Sequence, residues 1–263
     1  MISDLSNIVE KMSSPNGITR EEFIKKCKEN SLIVNDDEIE LAIGYINNLG
    51  IDIVEKDKKI FSMTRFRRYS DEIFCIVDIE TNGNSPIENQ IIEIGAIKYK
   101  NGQIIDRFES FVYSDFVPDY IERITHISKN DLLNAPKLKD ILIQFKNFIG
   151  NAVFIAHNVR FDYNFISQSF QKIGLEELLN RRLCTINLAK KTIPSERYGL
   201  SFLKESLHID IDNHHRAYAD ALSALKIFEI SLKNIPNEIK TTEELIEFSN
   251  PPKRKRKKEV RNI

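Results

Sequence analysis

The chain has 263 residues, 41% of them hydrophobic and 29% charged, with a formal net charge of −1. That profile is globular and longer than one typical domain, so one large core plus an extra module is expected. It excludes a membrane-spanning protein: no apolar run approaches the roughly 18 residues a span needs. The first residues also lack a basic-then-apolar leader, which makes the cytoplasm the expected location. Cys27, Cys75 and Cys184 are far apart, without disulfide or metal spacing, and read as small buried hydrophobes.

The near-zero net charge hides an asymmetry. Residues 253–263 hold seven Lys/Arg against one acid, which leaves a net charge of −7 on the rest. An acidic body still accommodates nucleic acid when metal ions handle the phosphates.

In chain order, residues 1–70 read as a small module. A helix over 2–12 is followed by Thr19 and Glu22 at capping-box spacing before a helix that runs to about Asn30. Ile39, Ala42, Ile43 and Ile46 follow helical periodicity, and the helix stops near Gly50. Residues 51–54 and 59–63 alternate like two strands joined by 55–58, so the module is winged-helix-like. Residues 18–57 are acidic on balance, which argues against a DNA-reading helix. Docking or regulation through a protein contact is the expectation. Arg65, Arg67 and Arg68 form a basic link into the main domain.

From residue 73 the character changes. Residues 74–77 are apolar and run into Asp78-Ile79-Glu80, a buried strand whose end carries two carboxylates on one face. Two such close acids repel, and a hard divalent cation relieves them. Residues 91–99 and 103–112 read as strands around an Asn101-Gly102 hairpin turn. Leu138, Ile141, Leu142, Phe145 and Phe148 form a helical stripe ended by Gly150, and 152–156 is a further buried strand. Helices are expected over 161–173, 200–207 and 216–232, with a short strand at 182–185. The whole implies an α/β fold with a mixed sheet.

Two more clusters join the first pair of acids. Ala156-His157-Asn158-Val159-Arg160-Phe161-Asp162 places a histidine at a strand's C-terminal end and an acid in the next helix, where α/β sheets gather ligands. His214-His215-Arg216-Ala217-Tyr218-Ala219-Asp220 opens a helix whose stripe is Ala217, Ala221, Ala224, Leu225 and Phe228. Asp220 falls beside that stripe, so it points at the sheet. His215 stands just before the helix, and His214 is a basic neighbour within reach of a phosphate.

Together the three clusters resemble the motifs of the DnaQ-like exonuclease superfamily in its histidine (DEDDh) branch, over roughly residues 72–235. The likeness extends to the epsilon subunit and proofreading domains of bacterial replicative polymerases. It implies a ribonuclease H-like mixed sheet flanked by helices over 71–235; the like charges that follow make residues 236–263 read as a flexible basic tail. It implies metal ligation by Asp78, Glu80, Asp162 and Asp220, with His215 as catalytic histidine. Arg216 stands where the tyrosine branch carries Tyr. Thr81, Asn82, His157 and Phe161 are the implied substrate-binding residues, with Phe161 or Ile87 stacking on a terminal base.

The implied chemistry is metal-dependent 3′→5′ removal of nucleotides from single-stranded or mispaired DNA ends, in proofreading or repair. Two Mg²⁺ or Mn²⁺ ions roughly 3.5–4 Å apart activate water and stabilise the leaving oxygen. His215 is suited to take the proton from water. The implied partners are the DNA polymerase III catalytic subunit and the sliding clamp. Residues 244–248 faintly resemble a clamp-binding peptide and also read as an amphipathic helix. RNA trimming by the same chemistry stays open, because the sequence does not show whether the pocket admits a 2′-hydroxyl. So does a non-catalytic scaffold that docks polymerase or clamp.

Overall fold

The computed structural model describes residues 4–211 and 215–251. The N-terminal module runs α1 (Asp4–Met12), β1 (Ile18–Thr19), α2 (Arg20–Glu29), α3 (Ile39–Asn48), β2 (Ile53–Lys56) and β3 (Lys59–Ser62). Its strands form an antiparallel sheet in the order β1-β3-β2, the helix-and-wing arrangement expected. Thr19 caps α2 by accepting a hydrogen bond from the Glu22 backbone N–H at 3.2 Å. The β2–β3 turn is Asp57-Lys58, both in the left-handed region at φ 51° and 60°.

The second sheet is built from β4 (Phe74–Thr81), β5 (Ile91–Lys100), β6 (Gln103–Phe111), β7 (Val153–Ala156) and β8 (Arg182–Cys184), in the order β6-β5-β4-β7-β8. Its helices are α4 (Asp119–Thr125), α5 (Lys129–Leu132), α6 (Leu138–Ile149), α7 (Val159–Lys172), α8 (Thr185–Thr192), α9 (Leu200–Ser206), α10 (Ala217–Leu232) and α11 (Thr242–Ser249). β4 pairs antiparallel with β5 and parallel with β7, so the sheet is mixed. Asn101 and Gly102 close the β5–β6 hairpin with φ of 48° and 79°, the two positive values a two-residue hairpin turn requires.

β4 separates two cores because its side chains alternate. Cys75, Val77 and Ile79 pack with α6 and α7 around Phe145, Phe154 and Phe165. Phe74 and Ile76 pack with Ala221, Ala224, Leu225 and Phe228 of α10. Asp78 and Glu80 continue this second face, under the N-terminal end of α10.

Helices α4 and α5, between residues 112 and 138, were not read from the sequence, and two further regions also differ from that reading. Helix α8 follows β8 directly; its sequence TINLAKKT carries β-branched residues that weaken helix propensity, yet Leu188 and Ala189 are buried by packing. Within residues 236–251, expected to be part of a flexible tail, Thr242–Ser249 is a helix with Leu245 and Ile246 buried. Its buried Glu243 accepts hydrogen bonds from Thr64 at 2.8 Å and from Arg181 Nε at 3.0 Å. Arg181 also pairs with Glu10 of α1 at 2.9 Å. Leu179 is buried in the module's core, and its N–H donates to the Leu49 carbonyl at 2.7 Å. Arg67 of the basic link spans Asp52 and Glu72 at 2.7 and 2.8 Å. The module is therefore seated on the larger domain through buried polar ties. The basic run from residue 253 lies outside the described residues.

Candidate active site

Four carboxylates and one histidine arrive from three elements. β4 supplies Asp78 and Glu80, two residues apart and so on one face. Asp162 lies in the first turn of α7, which leaves β7 through Asn158 in the left-handed region at φ 86°. Asp220 lies in the first turn of α10. Asp162 and Asp220 are only 3% and 7% exposed. His215, exposed and at φ 60°, forms the bend into α10. Donor atoms of Glu80, His215 and Asp220 all lie within 4.8 Å of one another.

The electrostatics show that the acids share one site. Burial holds the Asp78 carboxyl well above the usual carboxylate range, reinforced by Asp162, Glu80, Asp220 and Glu93. Glu80 is pushed up to about 8, by burial first and then by Asp220, Glu93 and Asp162, with Arg216 opposing. Burial raises Asp162 to about 8 against the backbone N–H groups of Asp162 and Ile79. Protonation or a counter-charge must relieve such a cluster. An all-carboxylate set with a neighbouring imidazole fits hard divalent cations.

A further acid organises the site without belonging to the motifs. Glu93 on β5 faces Glu80 across the ladder and is 1% exposed. It accepts from Arg216 Nε at 3.1 Å, from Arg216 Nη2 at 2.7 Å and from the Ala217 backbone N–H at 3.0 Å. The guanidinium also lies over the Phe111 ring, 5.0 Å from its centroid. Two positions along β5, Gly95 opposes Asp78. A Cβ there would fall 2.2 Å from the Tyr218 backbone nitrogen, so only glycine lets α10 approach this closely. Glu93 and Arg216 thus clamp the residues that follow His215. The sequence signal for Glu93 was a lone acid inside an apolar strand run, which requires a buried partner. Lys204, 4% exposed, anchors the other side by donating to the Ile211 carbonyl at 2.9 Å.

The remaining expected residues have internal partners. Thr81 donates to the Gly83 carbonyl at 2.8 Å. Asn82 donates to the Phe116 carbonyl and accepts from the Gln90 N–H, at 3.2 and 2.8 Å. Both side chains hold the loop after β4. His157 uses both ring nitrogens, toward Thr185 Oγ1 at 2.8 Å and the Tyr198 carbonyl at 2.9 Å. Burial lowers it to about 4, so it is neutral, and it positions the β7 end. Phe161 is half-buried against Phe165, with ring centroids 5.7 Å apart, while Ile87 is 76% exposed. His214 lies outside the described residues.

Known proteins share this architecture. DNA polymerase III PolC-type of Staphylococcus saprophyticus is 35% identical over 165 residues, covering 62% of this chain and 11% of that protein. The PolC-type enzyme of a bovine Staphylococcus aureus strain is 36% identical over 161 residues, 60% of this chain and 11% of its own length. The chain therefore spans about a tenth of these relatives. Among solved structures, Escherichia coli exonuclease I in its zinc-bound complex with single-stranded DNA superposes with a TM-score of 0.58 at 16% identity, over 64% of this chain and 42% of that one. Exonuclease X in complex with 5′-overhanging duplex DNA gives 0.51 at 20% identity, over 67% and 99%. These neighbours share the ribonuclease H-like mixed sheet. The exonuclease family profile of RNase T matches residues 75–228, more than half of the chain and the stretch that carries all four carboxylates and His215, and the chain belongs to that family.

Proposed function

We propose that this protein removes nucleotides from the 3′ ends of single-stranded or mispaired DNA, as a proofreading or repair nuclease. The observation that carries the reading is the convergence of Asp78, Glu80, Asp162 and Asp220 beside His215, with donor atoms of three of them within 4.8 Å of one another. In this reading the four carboxylates would hold two divalent cations, Mg²⁺ or Mn²⁺. A bound divalent cation supplies Lewis-acid stabilisation of charge on the phosphate and the leaving oxygen.

The chain's own residues do the rest. His215, exposed at the bend, takes the proton from the attacking water. Glu93 and Arg216 fix the start of α10 so that His215 and Asp220 keep their relative placement. Phe161 and Ile87 offer apolar surface to a terminal base. The match to PolC-type relatives supports DNA as substrate, and the polymerase III catalytic subunit is the partner this reading names. Residues 244–248 are poorly placed to serve a sliding clamp, since Leu245 and Ile246 are buried.

The test is digestion of matched DNA and RNA oligonucleotides, paired and mispaired at the 3′ end, with label at either end and with or without Mg²⁺. Mononucleotide released first from 3′-labelled DNA, and only with metal, is the expected result. Release from the 5′ end, or full activity in excess chelator, overturns the proposal; faster cleavage of RNA replaces the substrate.

A further inference from the structure

The wing of the N-terminal module carries a groove that the exonuclease site does not use. It has a volume of about 420 Å³ and is lined by Pro15, Lys56, Asp57, Lys59, Phe61, Arg65 and Phe66. Its floor is aromatic. Phe61 is buried, and Phe66, 41% exposed, meets it edge to face with centroids 5.2 Å apart. The Lys56 ammonium sits 5.3 Å from the Phe66 centroid. The lining has three cationic side chains and one carboxylate.

Those cations differ in availability. Arg65 is spent on the Ser13 carbonyl and on Glu247. Lys56 and Lys59 have no carboxylate partner among the described residues. Lys58 adds a third ammonium at the turn, in a left-handed conformation where Gly is the usual choice. Glu55 and Asp57 lie in the same hairpin, but the densest run of acids in this module sits elsewhere. Asp36, Asp37 and Glu38 form the turn before α3, whose first turn carries Glu40 and whose last turn carries no basic residue. The wing itself, residues 53–62, holds Lys56, Lys58 and Lys59 against Glu55 and Asp57, so it is slightly basic within a module that is acidic chiefly at the turn before α3.

The geometry points to a binding site for single-stranded nucleic acid in this groove, with one base stacked on Phe66 and the adjoining phosphates held by Lys56 and Lys59. A π-face beside paired ammonium groups is the combination that binds single strands without sequence preference. An acidic peptide would satisfy the lysines and leave the exposed ring without a stacking partner. The site is separate from the carboxylate cluster, so it adds affinity for a strand and takes no part in hydrolysis.

The experiment measures binding of a labelled long oligodeoxythymidine to the full chain by fluorescence anisotropy, in chelator and over a range of salt. Phe66→Ala is expected to weaken binding roughly 5- to 100-fold, the worth of one base–aromatic stack, and Phe66→Tyr to restore it. Lys56→Gln with Lys59→Gln is expected to lower the salt slope by about 1.4, or 0.7 per lost phosphate contact. These two residues are on the surface, so the double variant keeps the test valid should Phe66→Ala misfold. All variants retain the basic C-terminal run, and their differences therefore report the groove alone. Turnover of a dinucleotide, too short to need the groove, should be unchanged. Unaltered affinity and salt slope in the lysine variant overturn the proposal. So does displacement of the oligonucleotide by polyglutamate with full effect in Phe66→Ala, which would identify an acidic-peptide site. A wild-type chain that fails to cleave the dinucleotide speaks against the nuclease reading and leaves the groove standing.

Discussion

Replacing Arg216 by alanine separates the clamp from the chemistry it serves. Glu93 is 1% exposed, and two of its three hydrogen-bond donors are on the Arg216 guanidinium. Loss of that guanidinium leaves a buried carboxylate with the Ala217 N–H alone. Breaking a buried ion pair from one side costs about 3–5 kcal/mol. The Arg216 side chain is 35% exposed, so water screens one end and the low end of that range, about 3 kcal/mol, is expected. Glu93→Met with Arg216→Met removes both charges and should recover much of the stability, because no unpaired charge remains. It should not recover activity, since nothing then fixes the start of α10 behind His215. Urea unfolding in chelator gives the stabilities, and single-turnover hydrolysis in Mg²⁺ gives the rate. A double variant that regains the wild-type rate with its stability would show that the pair only supports the fold. Arg216→Ala within about 0.5 kcal/mol of wild type, the size of an ordinary surface change, would refute the buried pair.

His215→Ala should lower turnover on the order of 10²–10⁴-fold, the worth of a positioned base, with partial recovery at high pH; a change within a few-fold at neutral pH removes His215 from the mechanism. Asp78→Ala should raise stability in chelator by relieving repulsion within the acid cluster, while abolishing both hydrolysis and the gain in thermal midpoint that Mg²⁺ gives wild type. His157 is depressed to about 4 from 6.5, so the unfolded chain binds the extra proton between those values. Its contribution is fully present above about pH 6.5 and lost progressively as pH falls to about 4, on the order of 3 kcal/mol. The stability difference between wild type and His157→Gln, measured by urea unfolding, should shrink over that window.

The sheet was largely legible because its cues are local. A short apolar run ending in Asp78-Ile79-Glu80 marked β4, and Asn101-Gly102 marked the hairpin, whose two positive φ values the backbone adopts. Helix α10 was legible from the spacing of Ala217, Ala221, Ala224 and Phe228, all buried. Helix α11 was readable as an amphipathic segment, but its seat on the domain was not, because its stability is not local. Thr242 and Glu243 are buried by contacts to Arg67, Glu72, Thr64 and Arg181, partners more than 60 positions away in sequence. A capping box at Thr241 and Glu244 was present, but eight residues rarely hold a helix without tertiary support.

The site shows the same division on a smaller scale. Carboxylates that ligate metal must sit at element ends facing one point, and strand and helix periods make that visible from spacing alone. A residue that aims them obeys no such period. Glu93 reads as one acid within Ile91-Ile92-Glu93-Ile94-Gly95, and only the close approach of α10 at Gly95 explains both the acid and the glycine. Desolvating Glu93 without a donor would cost several kcal/mol, so the strand tolerates it only because Arg216 and the Ala217 N–H arrive with the helix. Helix docking and charge satisfaction are therefore one event. The same event brings Asp220 and His215 up to the acids of β4, so the proposed metal-binding geometry forms only once α10 is seated on the sheet.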